Sequence, residues 1–555
     1  MALVPAAILL AGWWEQVSRK LPDPYLDEVF HVGQVRHYLA GRLRVWDPKI
    51  TTPPGLYLLS YAVSPADSSL RTLRALGLVC LLIIPGIVIL SYTQRQRGRR
   101  EPWAKTHNAV NIALMPPLFF FSALYYTDVP STLSVLVFYS AFLSADQQLT
   151  WWKYPMLILL GLASLLFRQT NIFWVALFPA GLSLVRLLDQ GPDVARNSMY
   201  KRADGFGDSF ISVLRTSWRM NVVYDPSVRD AWLEDYFKTV ISLAVCLIRL
   251  ATQPRRLVNV LLALVHYLAI IAAFAAFIIW NGGVVLGDKS NHVATLHLPQ
   301  MLYIWPYFTF FSWPILLPYL STLPLGIVAK ISQFAPLESM LVFKRRHLVP
   351  RFWLMLASVS LACLVVRFNT IVHPFLLADN RHYTFYVFRL LTRRWWVKYA
   401  VTPIYVVCGW ATMQALGARP FDTPSAQPTS SKTKPPQKQS YQPDRHLIPT
   451  GQTSANISFV LVWLATTTLQ LITAPLVEPR YLILPWIFWR MHVPLQQYTA
   501  TEGPNSSAKT RNRLDYRLYL ETAWFLVVNA ATCYIFLNWG FAWPQEPGKI
   551  QRFMW

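Results

Sequence analysis

The sequence predicts an all-α polytopic membrane protein, because its composition, its apolar runs and the placement of its charges all fit that class. Hydrophobic residues make up 54% of the 555 residues and charged residues only 14%, whereas soluble globular proteins carry about a quarter charged residues. The 23 tryptophans suit aromatic belts at the two membrane faces. Apolar runs that reach or approach the ~20 residues of a bilayer-crossing helix recur along the whole chain and predict about 12 to 14 transmembrane helices.

The first predicted span is the apolar run 1–14, which lacks a basic segment and a small-residue cleavage site and is interpreted as a helix, not a cleaved signal. The other spans are 75–92, 108–124, 130–145, 154–167, 171–188, 257–280, 301–326, 352–372, 399–416, 457–475, 478–492 and 518–541. The five cysteines are scattered within or beside these runs. They indicate small core residues, not disulfides or a metal site.

Lys and Arg are concentrated in alternate connections between the apolar runs, and by the positive-inside rule these connections are cytoplasmic. They are 93–107, 330–351, 417–455 and 493–517. Juxtamembrane charge explains the net charge of +24, and the chain has no nucleic-acid motif, so no nucleic-acid partner is expected. The opposite, lumenal face then holds the most polar motifs, in 15–74, 281–300, 373–398 and 478–481, and the short turns Tyr125–Asp128 and Arg168–Asn171.

The predicted organisation is a transmembrane core over 1–416, a linker over 417–455 and C-terminal transmembrane segments over 456–555. The core includes a lumenal acidic loop (15–74) and a cytoplasmic insertion (189–235). The linker is rich in Pro, Ser, Thr, Gln and Lys and is expected to be disordered. A cluster of cations at the end of a lumenal loop departs from the positive-inside rule and predicts an interfacial helix or anionic partners. Its members are Arg393, Arg394 and Lys398.

An acidic pair, Asp27–Glu28, lies just beyond the first apolar run, in the segment Pro24-Tyr-Leu-Asp-Glu-Val-Phe-His31. Carboxylates at the mouth of a membrane helix are either solvated loop charges or groups for acid–base chemistry. In the second case one carboxylate accepts a proton while the other orients a sugar hydroxyl. His31 follows Asp27 by one helical turn and shares its face if the segment is helical.

Two other lumenal segments combine polar side chains with special backbone residues. In Thr51-Thr52-Pro-Pro-Gly55 the prolines exclude regular helix and the glycine permits close backbone approach. This pattern predicts either a helix-entry turn or a rigid wall of a binding site. The segment from Trp280 to Asp288 is glycine-rich but matches no nucleotide-binding loop. It is either a plain connection or a source of polar groups around Asp288.

Two segments that adjoin apolar runs suit a phosphate group. His373-Pro-Phe-Leu-Leu-Ala-Asp-Asn-Arg-His-Tyr383 places Arg beside His, a fixed donor beside a titratable one. Glu478-Pro-Arg-Tyr481 brings a second arginine to membrane depth, where an Arg usually faces a cavity or an anion. An ion pair between Glu478 and Arg480 is the alternative. From the residues alone, the prediction is a lumenal enzyme or carrier that acts on a phosphorylated lipid.

These motifs resemble one family, the dolichyl-phosphate-glucose-dependent α-1,2-glucosyltransferases of the endoplasmic reticulum. The resemblance rests on the segments around Asp27–Glu28 and Glu478–Tyr481, on Trp46-Asp-Pro-Lys-Ile-Thr-Thr-Pro-Pro-Gly-Leu-Tyr57, and on the run from His373 to Tyr386. Asn281-Gly-Gly with Gly287–Asp288 also fits. The motifs occur in order from about residue 22 to residue 490, so the resemblance covers most of the chain.

The resemblance implies a GT-C type glycosyltransferase bundle in the membrane of the endoplasmic reticulum, with lumenal loops that form the active site. The implied donor is dolichyl phosphate glucose. The implied acceptor is Glc2Man9GlcNAc2 on dolichyl diphosphate, which receives its terminal α-1,2-linked glucose with inversion. Another GT-C transferase that uses a lipid-phosphate sugar is one alternative. A polyprenyl-phosphate lipid transporter is the other.

The resemblance also implies roles for individual residues. Asp27 is expected to be the base, with Glu28 orienting the acceptor or exchanging roles with it. Arg381, His382 and Arg480 are candidates for the donor phosphate. The other candidate substrate- and donor-binding residues are His31, Thr51, Thr52, Asp288, Asp379, Asn380, Tyr383 and Glu478. No cofactor is expected, and no metal, because the leaving phosphate is already charged and no metal-ligand spacing is present. The lipid bilayer is the remaining expected partner.

Overall fold

The computed structural model describes most of the chain and leaves out several connections. It describes residues 3–95, 102–147, 151–199, 207–289, 295–322, 324, 351–372, 374–417, 454–474, 476–495, 498–499, 512–513, 515–544 and 546–555. The predicted linker 417–455 lies outside these residues except at its two ends, and so does His373.

Up to residue 281, all the regular secondary structure of the described residues is helical. The helices of this half are α1 (Leu3–Lys20), α2 (Glu28–Leu39), α3 (Gly55–Val63), α4 (Leu70–Arg95), α5 (Pro102–Leu114), α6 (Pro116–Phe121), α7 (Asp128–Gln147), α8 (Lys153–Leu165), α9 (Phe178–Leu188), α10 (Asp193–Met199), α11 (Phe210–Met220), α12 (Leu233–Ala251), α13 (Pro254–Ala263) and α14 (Val265–Asn281). A 3₁₀ turn (Gln169–Asn171) and a π-helical turn (Phe173–Leu177) lead into α9.

The second half adds nine helices among its described residues and two short strand pairs. The helices are α15 (Gln300–Leu320), α16 (Phe352–Asn369), α17 (Pro374–Ala378), α18 (Tyr383–Thr392), α19 (Val397–Ala400), α20 (Thr402–Ala415), α21 (Ile457–Leu471), α22 (Ile483–His492) and α23 (Tyr516–Asn538). A 3₁₀ turn (Pro479–Leu482) precedes α22. Strand β1 (Tyr498–Thr499) pairs with β2 (Asn512–Arg513), and β3 (Gly540–Ala542) pairs with β4 (Ile550–Arg552), both antiparallel.

Five helical runs of the described residues are long and apolar enough to cross a membrane. They are α4, residues 128–145 of α7, residues 169–188, α16 and α23. Helices α13 and α14 form a sixth span if they are taken together, with a bend of 70° between them. Shorter apolar helices, such as α8 and α21, occupy other predicted spans. The prediction of an all-α, multi-pass membrane protein is therefore confirmed, whereas the count of 12 to 14 transmembrane helices stays a prediction.

Prolines shape the long helix α15, which contributes much of the core beside α20, α21 and α23. It contains Pro306, Pro314 and Pro318, and the backbone leaves helical geometry at Ser312, with φ −124°. Proline removes a backbone donor and clashes with the preceding turn, so bends at such places are expected. The buried indole of Trp486 donates to the Ser312 hydroxyl at 2.9 Å. The kink is therefore packed against a fixed partner.

Connections predicted to share the lumenal face contact one another. The Leu286 amide donates to the Thr51 carbonyl at 3.1 Å, and the Asp288 amide to the Pro48 carbonyl at 2.7 Å. On the side of the cytoplasmic insertion, Asp225 accepts hydrogen bonds from the amide and hydroxyl of Ser458 at the start of α21. Residues of these connections therefore lie together in the fold, and the side of the membrane that each connection faces stays a prediction.

The loop with the exceptional cations Arg393, Arg394 and Lys398 contains helices α17, α18 and α19. The sequence offered two explanations for these cations, an interfacial helix or anionic partners. The loop does contain helices.

Candidate active site

A cavity of about 350 Å³ lies where the polar loops of one face converge. Leu26 and Asp27 line it from the connection between α1 and α2, and Tyr126 lines it from the turn between α6 and α7. Residues of 376–384 and 476–480 form two other sides, and residues after α23 complete the lining. Parts of the chain that are hundreds of residues apart therefore meet around one partly open cavity.

Asp27 and Glu28 are adjacent in sequence but lie in different surroundings. Leu26, directly before them, has a φ of +52°, a left-handed conformation that bulky residues rarely adopt and that is found at functional sites. Asp27 is the N-cap of α2. An Asp at this position usually accepts a hydrogen bond from a backbone amide of the first helical turn, but the Asp27 carboxylate does not. Instead it lines the cavity, with 48% of the side chain exposed. Glu28 is fully buried.

The buried carboxylate of Glu28 is occupied by protein groups on both oxygens. Arg74 of α4 forms a two-pronged ion pair with it, at 2.9 Å from Nε and 2.6 Å from Nη2. The Tyr125 amide donates to Oε1 at 2.7 Å and the Tyr25 amide to Oε2 at 3.0 Å. Arg74 also donates to the Leu21 carbonyl. Glu28 does not line the cavity, and its contacts make it a positioning residue that ties the acidic loop to α4 and to the Tyr125–Tyr126 turn.

Asp27 faces the guanidinium of Arg480, which is the centre of a cluster of carboxylates. Arg480 Nη1 lies 3.3 Å from Asp27 Oδ2, Nη2 lies 2.7 Å from Glu478 Oε2, and Asp128 Oδ2 lies 3.8 Å away. The guanidinium also lies over the rings of Phe121 and Tyr126, at 5.5 and 5.6 Å from their centroids. Arg480 is therefore a held, oriented cation at the cavity, and the predicted Glu478–Arg480 ion pair is present as well.

The surroundings of Asp27 set its protonation state. Burial raises the pKa of the carboxyl, but the nearby charge of Arg480 outweighs it, with smaller contributions from His31 and His382. The net effect is a pKa of Asp27 below the ordinary value of 3.8. The carboxylate is therefore ionised at neutral pH and able to accept a hydrogen bond or a proton.

His382 presents one ring nitrogen toward the polar side of the cavity. Its Nδ1 lies 3.0 Å from the backbone carbonyl of Trp555. Because a carbonyl only accepts, Nδ1 carries the proton of this hydrogen bond. Nε2 lies 3.9 Å from Asp379 Oδ2, and both residues line the cavity. Protonation at Nε2 would therefore place a second positive charge beside the cavity.

Arg381, a predicted phosphate ligand, does not line the cavity. Its guanidinium donates to both oxygens of Asp379, at 2.7 to 3.1 Å, and to Gln551 at 3.0 Å. It also lies over the ring of Trp543 at 4.5 Å. These contacts make it a positioning residue. The neighbouring predicted residues Asn380 and Tyr383 do not line the cavity either.

Thr51, Thr52 and Asp288 belong to two segments that contact each other. None of the three residues lines the cavity. The Thr51 carbonyl accepts from the Gln169 side chain at 2.7 Å, and the Asp288 amide donates to the Pro48 carbonyl at 2.7 Å. Gly287 has a φ of +61°, and a Cβ there would lie 2.3 Å from the Pro48 carbonyl oxygen, so only glycine fits this contact between two loops.

The Thr-Thr-Pro-Pro-Gly motif forms the helix-entry turn that the sequence offered as one of two explanations. Pro54 is the N-cap of α3, which begins at Gly55. The Gly55 amide donates to the Leu166 carbonyl at 2.7 Å, and a Cβ at Gly55 would lie 2.6 Å from that oxygen. The close backbone approach predicted for this glycine is confirmed.

His31 is in the helical segment predicted for it, since α2 spans Glu28–Leu39. Its Nδ1 lies 2.6 Å from the Tyr57 hydroxyl, and the ring is buried. Burial lowers the pKa of His31 more than the charge of Asp27 raises it. The imidazole is therefore neutral at pH 7, and His31 does not line the cavity.

Several residues that the sequence did not single out belong to the site. The Tyr126 hydroxyl accepts from the Asp27 amide at 3.3 Å, and Asp128 is paired with Arg168 at 2.9 Å. Their turns were placed on the lumenal face, and that placement was the available signal. Trp543, Met554 and Trp555 also line the cavity. No sequence motif marked these three residues.

Known proteins resemble the chain over nearly its whole length. A family model described as the DIE2/ALG10 family matches residues 21–491. A protein of Aspergillus fumigatus named Dol-P-Glc:Glc(2)Man(9)GlcNAc(2)-PP-Dol alpha-1,2-glucosyltransferase is 40% identical over 100% of this chain and 97% of its own length. The mouse protein of the same name is 31% identical, over 97% of this chain and 94% of its own length. No solved structure matches the chain.

Proposed function

Because the chain belongs to the DIE2/ALG10 family, we propose that it transfers glucose from dolichyl phosphate glucose to Glc2Man9GlcNAc2 on dolichyl diphosphate. The product carries a new terminal α-1,2-linked glucose. The observation that carries this proposal is the pairing of an ionised carboxylate, Asp27, with a held guanidinium, Arg480, at 3.3 Å on one cavity. A base and an anion-binding group side by side are what a sugar transfer from a phosphate needs.

In the proposed reaction, the 2-hydroxyl of the terminal acceptor glucose attacks the anomeric carbon of the donor. The bond from that carbon to the phosphate oxygen breaks as the new glycosidic bond forms on the opposite side. Asp27 accepts the hydroxyl proton, which makes the oxygen a better nucleophile in the transition state. Dolichyl phosphate leaves with the electron pair of the broken bond. The product is inverted at the anomeric carbon.

The cations at the cavity are placed to stabilise the leaving phosphate. Arg480 offers fixed N–H donors that match phosphate oxygens, and protonated His382 would add another donor. The apolar side chains Leu376, Leu476 and Val477 line the same cavity. They suit the first isoprenoid units of a dolichyl chain. The cavity therefore combines an apolar side for the lipid with a cationic side for the phosphate.

The donor phosphate must compete with Asp27 for Arg480, and this competition links donor binding to base strength. In the free site the guanidinium lies against three carboxylates, those of Asp27, Glu478 and Asp128. A phosphate at Arg480 weakens the attraction that holds the Asp27 carboxylate and adds a negative charge beside it. Both changes make Asp27 a stronger base when the donor is present.

The proposed setting is the membrane of the endoplasmic reticulum, with the cavity on the lumenal side and a GT-C type arrangement of helices. Support for the lumenal side comes from charge placement. The connections that build the cavity are those without the Lys- and Arg-rich composition of cytoplasmic connections.

The proposal is tested by incubating the purified full-length protein with radiolabelled dolichyl phosphate glucose and the diglucosylated lipid-linked acceptor. Label should appear in a triglucosylated lipid-linked oligosaccharide. A folded sample that moves the donor lipid between leaflets of a vesicle, without forming that product, would support a transporter instead.

Arg480→Gln should raise the KM for dolichyl phosphate glucose at least tenfold, because it removes the oriented cation from the cavity. Arg480→Lys should recover only part of the loss, since an ammonium group cannot bind phosphate in the same two-pronged manner. Steady-state rates with varied donor test this. Arg36→Gln, which changes an exposed arginine of α2, is the control and should leave the KM unchanged. An unchanged donor KM in Arg480→Gln would remove Arg480 as the phosphate ligand.

The same substitution should change the pH dependence. Because Arg480 holds the pKa of Asp27 below its ordinary value, Arg480→Gln raises that pKa. The active, deprotonated form is then lost at a higher pH. The ratio of the variant's kcat/KM to that of the wild type should therefore fall as pH is lowered from about 7 to about 5. A ratio that stays constant with pH would contradict this link between Arg480 and Asp27.

A further inference from the structure

The residues after α23 fold back over the site as a short hairpin followed by an extended end. Strands β3 and β4 pair in antiparallel register, with Phe541 opposite Gln551. Arg552 donates to the carbonyls of Phe536 and Leu537 at the end of α23, both at 2.8 Å. We call the described residues 539–544 and 546–555 the return segment. Its hairpin is thus fixed to the helix that precedes it.

The return segment is also bound to both of the main site loops. The Tyr25 hydroxyl donates to the Arg552 carbonyl and accepts from the Arg552 amide, each at 2.8 Å. The Met554 amide donates to the Arg381 carbonyl at 2.9 Å, and the Tyr383 amide donates to the Met554 carbonyl at 3.0 Å. The return segment therefore has a fixed position between the acidic loop and the loop that carries His382.

These contacts place two half-buried indole rings, Trp543 and Trp555, on the lining of the cavity. Trp543 lies against the Arg381 guanidinium, and Trp555 packs on the rings of Phe311 and Tyr383, with centroids 5.5 and 5.1 Å apart. The Trp555 Nε1 atom is buried and has no hydrogen-bond partner among the described residues. Two large aromatic side chains, held by these contacts, thus lie beside the cavity.

The charge around Trp543 favours a neutral ligand over an anionic one. The neighbouring cation, Arg381, is paired with Asp379 at 2.7 Å and has Glu546 at 3.8 Å. Its charge is therefore balanced by carboxylates, and Arg381 does not line the cavity, whereas Arg480 does. Carboxylate oxygens accept hydrogen bonds from hydroxyl groups, and aromatic faces pack against the apolar face of a pyranose ring. This combination suits the hydroxyl groups and the apolar faces of sugar rings.

We propose that the return segment is a binding wall for the terminal sugars of the neutral oligosaccharide acceptor, with Trp543 and Trp555 as stacking surfaces. This inference rests on the proposed function. The donor is already held through its phosphate and its lipid chain. The reacting end of the acceptor has no charge, so it requires shape, stacking and hydrogen bonds. The wall brings that end to the cavity that Asp27 lines.

The test compares Trp543→Ala, Trp543→Phe and Trp539→Ala in the full-length protein. Trp539 lies in the same segment but is exposed and does not line the cavity. Loss of one stacking surface should raise the KM for the lipid-linked acceptor about tenfold, or about 1.4 kcal/mol, while the donor KM changes less than about twofold. Trp543→Phe should keep most of the affinity, and Trp539→Ala all of it. A raised donor KM, a fall in kcat alone, or no change would overturn the proposal.

A second measurement tests the binding wall without relying on enzymatic turnover. Binding of the free, fluorescently labelled Glc2Man9GlcNAc2 glycan to the wild type should be weakened about tenfold by Trp543→Ala and by Trp555→Phe to a smaller extent. Equal binding by wild type and Trp543→Ala would overturn the wall. If the wild type forms no triglucosylated product, the proposed function fails, whereas normal wild-type turnover with an unaffected Trp543→Ala variant refutes only the wall.

Discussion

Asp27→Asn should lower kcat by at least about 100-fold, the low end of what general-base catalysis contributes, while binding of dolichyl phosphate glucose survives. The amide cannot accept the acceptor's proton, but it has nearly the same shape, and Arg480 remains in place at the cavity to bind phosphate. Single-turnover rates and equilibrium binding of the labelled donor measure the two effects separately. The unfolding midpoint in detergent should change little, because the Asp27 side chain is half exposed to the cavity.

Asp23→Asn is the matched control, since Asp23 is an exposed carboxylate in the same loop. It should retain normal turnover. If Asp27→Asn turns over at a rate close to that of Asp23→Asn, Asp27 is not the base.

Glu28→Gln should mainly lower the stability of the protein, whereas Asp27→Asn should mainly lower kcat. The side chains of Glu28 and Arg74 are 0% and 1% exposed. Removing one partner of a buried ion pair leaves the other charge uncompensated and costs about 3 to 5 kcal/mol. The Gln amide group would also place a donor against the Arg74 guanidinium or against the Tyr25 and Tyr125 amides. We expect a marked fall in the unfolding midpoint and in the yield of folded protein.

A double variant, Glu28→Gln with Arg74→Met, distinguishes a broken charge pair from a lost catalytic group. Removing both charges should recover part of the stability that Glu28→Gln loses, and the folded protein should regain some activity because Asp27 is intact. A Glu28→Gln protein with a wild-type midpoint and no turnover would instead make Glu28 part of the chemistry.

The different surroundings of these two neighbours show what the sequence can and cannot predict. The pair was identifiable as important because two carboxylates lie next to an apolar run. Which of them is exposed depends on the rotation of α2 and on Arg74, which is 46 residues away from Glu28. No local pattern contains that information. The topology was more accessible, since charge placement alone assigned the site loops to one face, and their contacts agree.

The two arginines predicted to bind the donor phosphate differ in the structure for a similar reason. Arg381 and Arg480 look equivalent in sequence, because each lies close to an acidic residue and an apolar run. In the structure Arg381 is saturated by Asp379 and Gln551, whereas Arg480 lines the cavity. The role of Trp543 and Trp555 was equally hidden, since it depends on a hairpin that returns to loops far away in the chain.

The most direct test of the central claim is the structure of the sugar product formed by the purified protein. The glycan released after reaction with dolichyl phosphate glucose and the diglucosylated acceptor is analysed by NMR for the position and anomeric configuration of the new bond. We predict one added glucose, α-linked to the 2-hydroxyl of the former terminal glucose, and none with Asp27→Asn. A β-linked glucose, a different linkage position, or no added glucose from a folded wild-type sample would contradict the account.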